Sequence, residues 1–168
     1  MGFRKTIAIV GCTEETGVEI AIKFSSIDYR LLLISNDIPK LIQLSNRLLE
    51  MNPKAEIDKI ECVKDGCWEA DIIVLAVSSN EEKKIAEMMK EVATQKIVVS
   101  ILSQESENVD LRYLLPHSRL VSVCNILKPK EISITGNDED ANNEISTIFF
   151  KAGFLSFDNE QIESKYHN

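Results

Sequence analysis

Thr6-Ile7-Ala8-Ile9-Val10-Gly11-Cys12-Thr13-Glu14-Glu15-Thr16-Gly17-Val18-Glu19-Ile20-Ala21-Ile22 is the stretch whose reading decides the fold. Its first five residues are an apolar, β-branched run of strand length with no alternation, the pattern of a strand buried on both faces. Gly11 ends the run and polar residues follow. Gly17 then opens a segment whose Val18, Ile20, Ala21, Ile22 and Phe24 continue as a helix ending near Ser25-Ser26. A strand, a tight glycine turn and a helix make the first half of a βαβ unit. In such a unit the helix start aims its free N–H groups and positive dipole end at whatever lies above the turn.

The pattern repeats along the chain. Arg30–Ser35 reads as a second buried strand, and Asn36-Asp37-Ile38-Pro39 starts a helix with a capping side chain and a proline in the first turn. Leu41, Ile42, Leu44, Leu48, Leu49 and Met51 carry that helix's stripe until Asn52-Pro53 stops it. Ala55–Val63 is a weaker third strand, and Asp65–Ala70 is a turn or a single helical turn. Asp71–Val77 is a strand, and Ser78-Ser79-Asn80 caps a helix over Glu81–Ala93 with Ile85, Met88, Met89 and Val92 on one side. Lys96–Leu102, Arg119–Cys124 and Glu131–Thr135 read as further strands, with a short helix at Leu111–Leu115. Asp138–Ala152 is a helix with Gly153 as its C-cap, and Phe154–Phe157 a terminal strand.

Strands alternating with helices of this length specify an α/β, doubly wound, mostly parallel sheet of about eight strands with helices on both faces. A ligand in such a sheet lies at the carboxyl ends of the strands, at the switch point. The expected ends are Gly11–Gly17, Ser35–Asp37, Ala76–Asn80 and Leu102–Gln104.

The 168 residues suit one domain with a proper core, with hydrophobic residues at 44% and charged residues at 27%. One domain over residues 1–157 with a tail over 158–168 is expected. The net charge of −8 argues against nucleic acid and anionic membrane surfaces as partners, since both select basic patches. The longest apolar runs, such as Ile72–Val77, are too short to span a bilayer, and no signal-peptide pattern follows Met1. A cytoplasmic location with reduced Cys12, Cys62, Cys67 and Cys124 is the expectation.

Dinucleotide sites of this sheet class use G-x-G-x-x-G, with the middle glycine giving pyrophosphate a bare backbone to approach. The turn here matches the variant G-x-T-G-x-x-G at Gly11, Thr13 and Gly17, but Glu14 stands where the central glycine belongs. Its carboxylate and that of Glu15 bring negative charge toward a dianion, a repulsion of roughly 1–3 kcal/mol at about 5 Å in a semi-exposed site. That weakens a phosphate ligand by about one to two orders of magnitude unless the side chains turn to solvent. The plainer reading of Thr13–Gly17 is an acidic helix start that complements the dipole. Asp37, 20 positions after Gly17, lies near the interval at which an acid binds the ribose of NAD, but it also serves as a helix cap before Pro39.

No catalytic constellation emerges. His117 and His167 have no evident nucleophile or acid partner, and Cys62-x₄-Cys67 lacks zinc-knuckle spacing, so no metal is expected. Cys12 reads as a buried inert thiol, and Trp68 as a core or edge anchor.

Taken together, Thr6–Gly17, Glu69–Val77 (EADIIVLAV), Lys96–Ser100 (KIVVS) and Leu115-Pro116 with Val121–Asn125 resemble the deazaflavin-dependent NADP oxidoreductases. More loosely they resemble the 6-phosphogluconate and 3-hydroxyisobutyrate dehydrogenase-like NAD(P)-binding Rossmann domains. Ile134–Asp138 through Gly153-Phe154 is similar to that family's closing strand–helix–strand, so the resemblance covers nearly the whole chain. It implies NADP or NAD as cofactor, held by Gly11, Thr13, Thr16, Gly17, Ser35, Asn36, Ala76, Val77 and Ser78. The chain departs from the family at Glu14, at Ser78 where a proline is usual, and in having no arginine after the second strand to meet an NADP 2′-phosphate. The family completes its active site with C-terminal helical segments, so another subunit, as in a homodimer, is expected to supply the substrate pocket.

Two functions follow from these residues. One is an NAD(P)-binding oxidoreductase domain in which the cofactor carries the hydride. The other is a cofactor-free Rossmann-fold interaction or regulatory protein whose pyrophosphate site is blocked by Glu14 and Glu15.

Overall fold

The computed structural model describes residues 4–102, 110–124, 126 and 132–154. It contains a sheet of seven strands in the order β3-β2-β1-β4-β5-β6-β7. The strands are β1 (Thr6–Val10), β2 (Arg30–Ile34), β3 (Ile57–Ile60), β4 (Ile72–Leu75), β5 (Ile97–Leu102), β6 (Arg119–Cys124) and β7 (Ser133–Thr135). All neighbouring pairs are parallel except β6 with β7, which is antiparallel. The helices are α1 (Glu15–Phe24), α2 (Ile38–Met51), α3 (Val63–Glu69), α4 (Ser79–Met89), α5 (Leu111–Leu114) and α6 (Glu139–Lys151).

The unbroken apolar runs of β1, β2, β4 and β5 are explained by the two layers they serve. Ile7, Ile9, Leu31, Leu33, Val74 and Val99 face a core shared with α1, α2 and α6, where Phe24 and Phe149 meet edge to face at 5.2 Å. Alternate residues Ala8, Val10, Leu32, Ile73, Leu75 and Val98 face a second core with α3, α4 and α5. β1 and β4 are adjacent although the chain runs from β1 to β2, so the switch point lies between them.

Helix ends follow the expected chemistry. Asp37 caps α2 by accepting from the Lys40 N–H at 3.2 Å, with Pro39 in the first turn. Asp138 caps α6 and accepts from the Ala141 N–H at 2.9 Å, and Gly153 follows that helix in the left-handed region at φ +92°. Gln95, before β5, is the one described non-glycine residue in that region, at φ 65°.

Several expectations are corrected. The third strand is Ile57–Ile60 rather than Ala55–Val63, and Val63 belongs to α3. The stretch after it forms two helical turns, not one, because Gly66 can lie against Ile34: a Cβ on Gly66 would stand 2.4 Å from Ile34 Cδ1. α3 turns Gly66 and Cys67 inward, which leaves Trp68 69% exposed instead of anchoring the core. α4 begins two residues before Glu81 because Ser78 caps it, and ends at Met89. Met88 faces solvent rather than the stripe. Seven strands are described against about eight expected, and the eighth, Phe154–Phe157, falls mostly outside the described residues. No helix among the described residues is long and apolar enough to cross a membrane.

Candidate functional site

The turn after β1 is shaped by its two glycines. Gly11 has φ +82°, and its N–H donates to the Ile34 carbonyl at 3.2 Å. A Cβ there would lie 2.4 Å from the Ala76 carbonyl oxygen and 2.5 Å from Val77 Cγ1. The turn is thus pressed against the end of β4. A Cβ on Gly17 would lie 2.0 Å from the Gly11 carbonyl oxygen, so α1 starts directly on the turn it leaves.

Glu14, in the place of the central glycine, has φ −80° and ψ 161°, extended backbone open to any L residue. It is the N-cap of α1 by position, its side chain makes no capping bond, and both Glu14 and Glu15 are exposed. The backbone course of a glycine-rich turn is kept while two carboxylates stand at its rim. The two glycines that a pyrophosphate-binding turn requires are in place, with the charge of Glu14 and Glu15 opposing an anion.

The neighbouring strand ends complete the rim. Thr13 Oγ1 and Ser35 Oγ are 2.9 Å apart, and the Asp37 N–H donates to Ser35 Oγ at 3.1 Å. Asn36 is exposed beside them. Asp37 gives one oxygen to its cap and the other to Lys40 Nζ at 3.8 Å, so its carboxylate serves α2. After β4, the Ala76 N–H donates to the Val10 carbonyl, and the Glu81 N–H donates to Ser78 Oγ at 3.4 Å. The structure thus brings Gly11 to Ala76 and Val77, and Thr13 to Ser35, while Asn36 and Ser78 are exposed and Thr16 lies half-buried in α1.

Cys12 is buried beneath the turn with Sγ 3.5 Å from the Ile34 carbonyl, and burial pushes its thiol up to about 12. It is inert at neutral pH. Burial does the same to Cys67. His117 is exposed in its loop.

Sequence reasoning missed one group. Glu82, in the first turn of α4, is 2% exposed, and both its carboxyl oxygens lie 2.9 Å from Ser100 Oγ on β5. Burial raises its carboxyl from 4.5 to about 7, with the Ser100 hydrogen bond opposing the rise. The signal was present: Glu82, Ile85, Ala86 and Met89 share the i, i+3, i+4, i+7 spacing of an inward stripe.

No family model matches the sequence, and no curated protein does. Solved structures do match its fold. A putative F420-dependent NADP-reductase from Arthrobacter sp. FB24 aligns with a TM-score of 0.69 and 16% identity over 88% of this chain and 80% of that one. A pyrroline-5-carboxylate reductase from Coxiella burnetii gives 0.70 and 17%, over 90% of this chain and 57% of that one. A prephenate dehydrogenase from A. aeolicus, solved in complex with hydroxyphenyl propionate and NAD⁺, gives 0.66 and 9%, over 91% and 58%. This chain spans little more than half the length of the last two. At such identities the likeness establishes the fold: a seven-stranded, mostly parallel Rossmann-type sheet of the kind found in NAD(P)-binding dehydrogenases.

Proposed function

We propose that this protein binds a nicotinamide dinucleotide across the carboxyl ends of β1, β2 and β4 and serves as the cofactor domain of an oxidoreductase. The observation that carries the reading is the Gly11–Gly17 turn, whose close approaches to Ala76 and to α1 leave no room for a Cβ at either glycine. That is the requirement of a turn over which a pyrophosphate sits at a helix N-terminus. The fold neighbours, among them an NADP-reductase and a dehydrogenase solved with NAD⁺, support it.

In this reading the Gly11–Gly17 backbone, with Thr13 and Thr16, holds the pyrophosphate. Ser35 and Asn36 border the adenosine ribose, and Ala76, Val77 and Ser78 border the nicotinamide half. When bound, the cofactor supplies hydride transfer. This chain's part is to orient it and exclude water, and a second subunit completes the substrate pocket. Glu14 and Glu15, turned to solvent, weaken binding without closing the turn. A thermal-shift titration with NADP⁺, NADPH, NAD⁺ and NADH tests this. A ligand at about 100 times its Kd adds roughly 2.7 kcal/mol, a rise of a few degrees for a domain of this size. A shift with one nicotinamide pair supports the reading and selects the cofactor; no shift at millimolar concentration refutes it in favour of a cofactor-free interaction module.

A further inference from the structure

Glu82 lies in the first turn of α4, the helix that Ser78 caps on the rim of the candidate site, and it reaches across to β5 rather than out to solvent. Its two oxygens are equidistant, at 2.9 Å, from a single hydroxyl, Ser100 Oγ. A hydroxyl has one hydrogen, so a carboxylate must share it between two acceptors. A neutral carboxylic acid fits the same geometry with two full bonds: its O–H donates to Ser100 Oγ, and its carbonyl oxygen accepts from the Ser100 O–H. The six-membered ring so formed ties α4 to β5.

No cation among the described residues meets Glu82. α4 packs against α3 and α5. From α3 and the segment after α4, Lys64 pairs with Glu91 at 3.1 Å, and Asp65 and Glu69 are exposed. At the start of β5, Lys96 Nζ donates to the carbonyls of Cys67 and Trp68. Arg112 of α5 is bound to Asp110 at 2.9 Å, and the other charges of α4 (Glu81, Lys83, Lys84 and Glu87) are exposed. β4 brings only apolar side chains. A carboxylate buried without a cation loses its hydration with nothing to replace it, and holding a proton relieves that cost.

We propose that Glu82 and Ser100 form a proton-controlled latch: the neutral carboxyl fastens the first turn of α4 to β5, and loss of its proton breaks the ring and loosens the rim of the site that α4 begins. The carboxyl's rise to about 7 sets the range. In the opened segment Glu82 returns to its ordinary value of 4.5, so opening becomes about tenfold easier per pH unit between those values and levels off above the upper one. Where the rim holds a nucleotide, a consequence that rests on the reading above, affinity falls as pH rises through neutrality.

The test uses the ligand-free protein, so a failure to bind nicotinamide nucleotides would sink the earlier reading and leave this result standing. The ¹³C shift of the Glu82 carboxyl is followed from pH 3 to 9. Amide exchange, corrected for its intrinsic pH dependence, is compared between α4 and α2 at pH 5 and 7.5 in wild type and Glu82→Gln. Glutamine offers Ser100 an N–H donor and a carbonyl acceptor as the neutral acid does, with a second N–H that the acid lacks, and it cannot lose a proton in this range. The expected result is titration near neutrality, with protection of α4 falling by roughly two orders of magnitude relative to α2 in wild type and staying flat in Glu82→Gln. Titration near the ordinary carboxyl range overturns the latch. So does a wild-type α4 whose protection tracks α2, and the wild-type measurements decide the matter even if the variant does not fold.

Discussion

Two strand–helix junctions stand side by side at the carboxyl end of the sheet, after β1 and after β4, and each opens its helix with a pair of glutamates. After β1 both Glu14 and Glu15 are exposed. After β4 only Glu81 is; Glu82 is among the most buried polar residues of the protein. The residue type is the same, and the distance along the helix differs. Glu14 is at the cap, where a side chain leaves the end of the helix, whereas Glu82 is a turn further in, on the stripe with Ala86 and Met89. One pair places charge at the rim of the candidate site, and the other places a carboxyl inside the core without a counter-charge among the described residues. Helix phase, not charge count, decides which role an acid takes.

The largest effect should come from removing the shape of the first junction. Gly17→Ala puts a methyl 2.0 Å from the Gly11 carbonyl and should cost about 3 kcal/mol or more in urea denaturation, with loss of any nucleotide-induced thermal shift. An alanine variant as stable as wild type would show that α1 does not rest on the turn.

The second junction comes next, through its acid. Because the folded-state value of Glu82 is raised, its favourable contribution is complete below pH 4.5, declines as pH rises to about 7, and is absent above that. Glu82→Gln should therefore match wild type near pH 4 and exceed it by about 2–3 kcal/mol at pH 8, read from denaturation midpoints at both pH values. Equal stability at both would remove the contrast between the two junctions.

Glu14→Gly should tighten NADP(H) or NAD(H) by about one to two orders of magnitude in calorimetric titration, since it removes the carboxylate nearest the proposed pyrophosphate. Glu14→Gln separates charge from backbone: a gain equal to that of glycine assigns the whole effect to charge. The smallest change is Ser78→Ala, which deletes the long cap bond to the Glu81 N–H and should cost under about 1 kcal/mol by the same denaturation assay. A larger loss would mean that Ser78, more than Glu82, fastens α4.

Much of the fold was legible because its strongest signals are local. Uninterrupted runs such as Ile7–Val10 and Ile72–Leu75 need two covered faces, and Asp37, Asp138 and Gly153 mark helix ends through bonds that span only a few residues. The misreadings are tertiary. Ile57–Ile60 carries two adjacent exposed charges, Asp58 and Lys59, between its isoleucines, as the edge position of β3 permits, which blurred its limits. Trp68 is exposed because Gly66 and Cys67 took the inward side of α3, a choice set by Ile34 far away in the chain. In the site, the glycines announced the turn, but nothing local tells whether a glutamate beside them faces water. Glu82 was not singled out because its partner Ser100 lies on a strand 18 residues later.

The edge strand β3 has one more consequence. It is four residues long, Asp58 and Lys59 stand exposed on it, and Asp58 is drawn back to Arg30 on β2 at 2.6 Å. A row of free backbone groups this short and this charged is a poor template for another strand. Two copies of this protein would not join by continuing the sheet through β3, and the same charges guard that side against fibrous stacking when the protein is crowded.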